Sequence, residues 1–119
     1  ALAVAQTESN FDMDAVGASG EVGIMQLNPG PGGSYHAEIQ AATGLDPTTA
    51  SGNIAGGCYK LGLYLAKYGS AEKAAMAYNM GEGGARSAWD SGITSTDYSK
   101  AVKEAMETWE CTANAWGGV

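Results

Sequence analysis

Basic residues are scarce in this chain: six Lys and Arg stand against thirteen Asp and Glu, for a formal charge of -7 at pH 7. Nucleic acid is held largely by cations that displace its counterions, so no nucleic-acid partner is expected. No apolar run approaches the ~20 residues that a membrane-spanning helix requires, so no membrane span is expected. His36 is the sole histidine. With no Cys or second His at zinc-ligand spacing beside it, neither a metal nor another cofactor is expected. Gly81-Glu82-Gly83-Gly84 lacks the Lys-Ser/Thr of a phosphate loop and follows a helical pattern, which argues against nucleotide binding. β-Branched residues are few, and no strand-like alternation persists beyond a few positions.

What is present describes a small globular unit. With 119 residues, 45% hydrophobic and 16% charged, the chain is read as one domain over 1–119, large enough for its own core. Its 18 glycines gather at 17–33, 52–62 and 81–92, which suggests short helices joined by shaped loops. Cys58 and Cys111 allow two readings: a disulfide in an exported protein, or two buried apolar thiols. The chain opens in a helix-like run, Ala1-Leu2-Ala3-Val4-Ala5, with no leader visible. It is therefore expected to be excised from a longer protein, with any export signal upstream, and to act as a monomer.

Helical periodicity organises most of the chain. Residues 1–9 read as the end of a helix with Leu2, Val4 and Ala5 inward. Residues 10–34 read as loop, with a short helical turn over 22–27. A helix over 36–43 is stopped by Gly44. Ile54, Cys58, Leu61 and Leu65 predict the inward stripe of a helix over 53–68, ended at Tyr68-Gly69. Ser70 predicts an N-cap for a helix over 71–80, with Glu72 in its first turn. Residues 81–94 read as loop. Thr96 or Asp97 caps a last helix whose stripe is Tyr98, Val102, Ala105 or Met106, and Trp109. The fold class is all-α.

Several peptides stand out by order and spacing. Glu8-Ser9 is followed eighteen positions after the glutamate by Gln26, within Gly23-Ile24-Met25-Gln26-Leu27-Asn28-Pro29. Asn53-Ile54 with Gly57, Ala77-Tyr78-Asn79-Met80-Gly81, and Tyr98 with Val102 come later. Together, from Gln6 to Val102, they resemble the transglycosylase SLT family, the lytic transglycosylases and goose-type lysozyme relatives. The resemblance implies a lysozyme-like fold, a helical body with a substrate groove. It implies peptidoglycan glycan strands as the partner, and a site outside the cell, in the wall or periplasm, or on a phage. It also implies a lyase that cuts between N-acetylmuramic acid and N-acetylglucosamine and leaves 1,6-anhydro ends. The alternatives are a hydrolytic muramidase on the same fold and a non-catalytic glycan-binding module.

By the same resemblance Glu8 is the catalytic acid and base, and Ser9, Gly23, Met25, Gln26, Tyr78, Asn79 and Tyr98 form the substrate site. An isolated glutamate at a helix end would be a solvated charge. As an acid near neutral pH, Glu8 needs a partly apolar pocket, for which Ile24, Met25 and Tyr78 are candidate walls. Gln26 offers an amide to sugar hydroxyls, or caps its own loop. Tyr78 is expected to orient the 2-acetamido group, and Asn79 to fix the glutamate-bearing segment, unless they are a buried aromatic and a helix-end amide. Tyr98 is explained equally by its helix stripe. Asp12, Asp14, Glu21 and Glu82 occupy no recognisable nucleophile position. The family often has serine nine positions after the glutamate, where this chain has Gly17, so a sugar contact is missing unless Ser19 replaces it. Glu82 is expected to be a solvated loop charge or to line the groove. Trp89 is the one tryptophan expected near substrate, whereas Trp109 belongs to the core and Trp116 has no assigned role.

Overall fold

The computed structural model describes residues 1–115, with side chains through Glu107. Five helices account for most of the chain: α1 (Leu2–Ser9), α2 (Ser34–Thr43), α3 (Ala50–Tyr68), α4 (Ala71–Asp90) and α5 (Asp97–Ala115). A 3-10 turn at Pro31–Gly33 leads into α2. α1 packs on α5, α5 on α4, α4 on α3, and α3 on α2, so the helices close around one body. The expected all-α architecture is the one found. Among the described residues no helix is long and apolar enough to cross a membrane.

Local signals set the helix ends. Thr49 accepts the Gly52 N–H and Ser70 accepts the Lys73 N–H, each capping a helix start. Gly44 and Gly69 take the left-handed conformation that stops α2 and α3. Of the two residues expected to cap α5, Thr96 does so. Its Oγ1 accepts the Ser99 N–H at 3.1 Å, while Ser99 Oγ accepts the Thr96 N–H at 2.8 Å.

The main core joins Ala3, Val4 and Ala5 of α1 to Met25 and Leu27 of the following loop. Ile39 of α2, Ala75 of α4, and Val102 and Ala105 of α5 complete it. Leu2, expected inward, is 56% exposed, because α1 turns its Ala3–Ala5 face to α5.

The α3 stripe is a larger correction. Ile54 and Leu65 are 44% and 50% exposed, and Cys58 is exposed, while only Leu61 leans on the core. The buried face is instead Gly52, Asn53, Gly56 and Gly57. A β-carbon on Gly56 would come within 2.7 Å of Leu27 and Ile39, and one on Gly57 within 2.4 Å of Met25. Close approach of the loop to a bare backbone decides the orientation of α3, over the apolar period of its side chains. Cys58 is thus not a buried thiol. Cys111 and Trp109 lie where α5 side chains are outside the described residues, as does Trp116 altogether, and so does the Cys58–Cys111 pairing.

Two loops also differ from expectation. Residues 22–27 form no helical turn. Val22 pairs with both Val16 and Leu27 through antiparallel bridges, and the chain reverses between them. Residues 82–90 are helical: α4 breaks at Gly81 (φ 77°, ψ 159°) and resumes. Ala85 and Ala88 bury against Met76 and Ala77, and this packing outweighs the weak helix preference of Gly83 and Gly84.

Candidate active site

Glu8 occupies the last turn of α1, where the helix dipole disfavours an anion. Immediately beyond it Asn10 and Phe11 take positive φ (51° and 65°), and Gln26 does so at 49°. These are the described non-glycine residues with left-handed backbone, and all three lie next to or opposite Glu8 in the motifs. Such conformations cost energy and persist where surrounding contacts over-determine them.

Those contacts tie the 15–27 loop to three helices. Ser9 Oγ donates to the Ile24 carbonyl at 2.7 Å, joining α1 to the loop. The Asn53 side chain, wholly buried, accepts the Met25 N–H at 2.7 Å and donates to the carbonyls of Val22 and Pro47. The Tyr78 hydroxyl donates to the Met25 carbonyl at 2.5 Å. Gln26 Nε2 donates to the carbonyls of Ala15 and Gly23. By sequence pattern alone, Asn53 marks only a helix start. A polar residue in register with Gly56 and Gly57 is the signal that marks it as a buried clamp.

A groove of about 710 Å³ runs past Glu8. Gln26, Tyr78 and Asn79 line it with Ser19, Glu21 and Glu82, and so do Tyr35, Lys60 and Tyr64, to which sequence reasoning assigned no role. Burial raises the Glu8 pKa above the ordinary glutamate range. The Tyr98 hydroxyl opposes that rise, and the Glu21 charge adds to it. The Tyr98 hydroxyl is itself buried beside Glu8 without a partner in hydrogen-bonding geometry. Burial and the Glu8 charge hold both Tyr78 and Tyr98 in the neutral phenol form, and the Tyr78 hydroxyl donates to the Met25 carbonyl.

Other site residues act differently from their sequence expectation. The Met25 side chain packs on Gly57 of α3 and its carbonyl accepts the Tyr78 hydroxyl, so Met25 anchors the loop and does not line the groove. Ser9 and Gly23 serve the loop through their hydrogen bonds, and the Gln26 amide nitrogen is consumed there too, with its oxygen held over Gly17. Asn79 is exposed in the groove and makes no hydrogen bond to α1. Trp89 lies outside the groove: it stands edge-on to Tyr68 with ring centroids 4.9 Å apart and donates to Met76 Sδ. Glu82 is not a free loop charge. Lys67 at 2.6 Å, Tyr68 at 2.5 Å and Arg86 at 3.4 Å surround its carboxylate and hold its pKa below the usual range. His36 Nε2 meets the Leu27 carbonyl at 3.1 Å, and among the described residues no cluster of His, Cys, Asp and Glu could hold a metal ion.

A groove with one half-buried glutamate of raised pKa, on a helical body of this order, is the architecture of glycan-cleaving enzymes of lysozyme type. The model of the transglycosylase SLT domain matches residues 1–100, and the chain belongs to that family. No curated protein and no solved structure matches it significantly. Membership implies lytic transglycosylase activity on peptidoglycan, and hence action in the periplasm or outside the cell.

Proposed function

We propose that the domain cleaves the β-1,4 bond between N-acetylmuramic acid and N-acetylglucosamine without water, with Glu8 as its single catalytic acid and base. The observation that carries this reading is the half-buried Glu8, its pKa raised by burial, in a groove lined by Gln26, Tyr78 and Asn79. Protonated Glu8 gives its proton to the glycosidic oxygen as the bond to C1 of the muramic sugar breaks. The sugar's own acetamido oxygen closes on C1 and holds the positive charge. Glu8, now a carboxylate, takes the proton of the 6-hydroxyl, and O6 displaces the acetamido oxygen at C1. The product is a 1,6-anhydro sugar, and Glu8 ends protonated, as it began. An internal hydroxyl outcompetes water through its high effective concentration.

In this mechanism Tyr98, kept neutral, contributes its hydroxyl dipole at the acid, while Ser9, Gly23, Met25 and Tyr78 hold the loop that presents Gln26. One observation favours a second reading: Glu21 shares the groove and its charge reaches Glu8. A second carboxylate that activated water would make the protein a muramidase. Mass spectrometry of fragments released from purified peptidoglycan, by wild type and Glu8→Gln, separates these. Anhydro-muropeptides from wild type alone are expected. Products one water heavier, with reducing ends, would establish hydrolysis. If neither variant releases product, the domain is a glycan-binding module.

A further inference from the structure

Glu21 sits where the groove has room for it only because residue 17 is glycine. A β-carbon on Gly17 would lie 1.8 Å from Glu21 Oε2 and 2.8 Å from Gln26 Oε1. The two oxygens therefore converge over Gly17, and both residues line the groove that holds Glu8. The backbone fixes this arrangement, since the Gly17 N–H donates to the Glu21 carbonyl at 2.9 Å and Val16 bridges Val22. Glu21 is half-buried, and among the described residues no donor and no cation reaches its carboxylate. The amide nitrogen of Gln26 is already occupied, so its oxygen too is an acceptor only. Acceptors in this state need donors, and a glycan supplies O–H and N–H groups.

We propose that Glu21 is a substrate-positioning residue, whose carboxylate over Gly17 accepts a hydrogen bond from an O–H or amide N–H of the N-acetylated sugar bound next to Glu8. This deepens the glycan-cleaving reading and rests on it. The contact is charge-assisted, and its loss is expected to weaken binding about tenfold. Glu8 and Glu21 line the same groove, as this role requires.

Gly17 offers a test that leaves Glu21 chemically intact. Its backbone is not left-handed, so alanine adds no backbone strain there, but the new β-carbon would expel the carboxylate and also press on the Gln26 oxygen at 2.8 Å. Kinetics on a soluble tetrasaccharide of alternating N-acetylglucosamine and N-acetylmuramic acid would compare wild type, Gly17→Ala, Glu21→Ala and the double variant. Glu21→Gln would serve as a second probe of the same size, with thermal melting to verify folding. Calorimetric binding in the Glu8→Gln background would measure affinity without turnover. Each single change is expected to raise Kd and KM about tenfold with kcat changed only a few-fold. The double variant is expected to be no worse than the worse single, because both changes remove the Glu21 contact. Additive losses, or an unchanged KM in folded Glu21→Ala and Glu21→Gln, would overturn the proposal. So would a collapse of kcat at constant KM, which would make Glu21 a base for water. A wild type that neither binds nor cleaves the tetrasaccharide would sink the glycan reading as well.

Discussion

Glu8 and Glu82 carry the same side chain and line the same groove, yet their surroundings drive their protonation apart. Burial raises the pKa of Glu8, while Lys67, Tyr68 and Arg86 lower that of Glu82. Glu8 therefore holds its proton more tightly in the folded chain than in the unfolded one. Its contribution to stability is full below the unfolded glutamate pKa and is lost as pH rises through the folded value. Replacing it with the neutral Gln is expected to raise Tm at pH 7 and to leave Tm nearly unchanged at pH 4. Calorimetric melts of the two proteins at both pH values would check this, and equal shifts at both would show that burial of the charge is not the cause. The same substitution should lower turnover by about 10²–10⁴-fold, the usual contribution of a general acid. Glu8 was legible because its neighbours in the chain form a motif. The environment of Glu82 was not, because its partner Lys67 lies on another helix, fifteen residues away.

At the level of elements, the site is a loop held by α1, α3 and α4, and α3 contributes through what it lacks. Gly56 and Gly57 let Leu27 and Met25 sit against bare backbone, and Asn53 bonds the loop from the same face. Asn53→Ala would strand the Met25 N–H and two carbonyls around a buried cavity. It is expected to destabilise the fold by about 3 kcal/mol, more than one lost hydrogen bond, because the partners stay buried and unsatisfied. Chemical denaturation would measure this, and activity should fall with it as the loop carrying Gln26 loosens. Reading α3 by its apolar period put the wrong face inward. Periodicity assumes that burial follows side-chain hydrophobicity, and here backbone proximity competes successfully with it. The α4 break was visible at Gly81, but not the resumption beyond it, which depends on Ala85 and Ala88 meeting Met76 and Ala77.

For the whole molecule, charge is the governing property. The groove is lined by Glu8, Glu21, Glu38 and Glu82 with Lys60 among them, on a chain of net charge -7. Peptidoglycan carries carboxylates as well, so substrate and domain repel at long range while sugar contacts hold at short range. Repulsion reaches ~30 Å at 0.01 M salt and only ~8 Å at 0.15 M. Adhesion of the Glu8→Gln protein to isolated cell walls is therefore expected to strengthen as salt rises over this range. A cosedimentation assay would reveal the opposite trend if attraction of charges drove binding.

The sequence alone determined the helical class, most helix ends and the family, and it singled out Glu8 as the candidate acid. These depend on local capping, on left-handed glycines at Gly44 and Gly69, and on a motif contiguous in the chain. Tertiary structure alone decided which face of α3 is buried, that Asn53 clamps the loop, and that Glu21 rests over Gly17 beside Gln26. Each of these depends on two segments approaching within a few ångströms through a space where a side chain is absent. An absent side chain exerts no periodic signal, so its meaning emerges only when the neighbour that fills the space is in view.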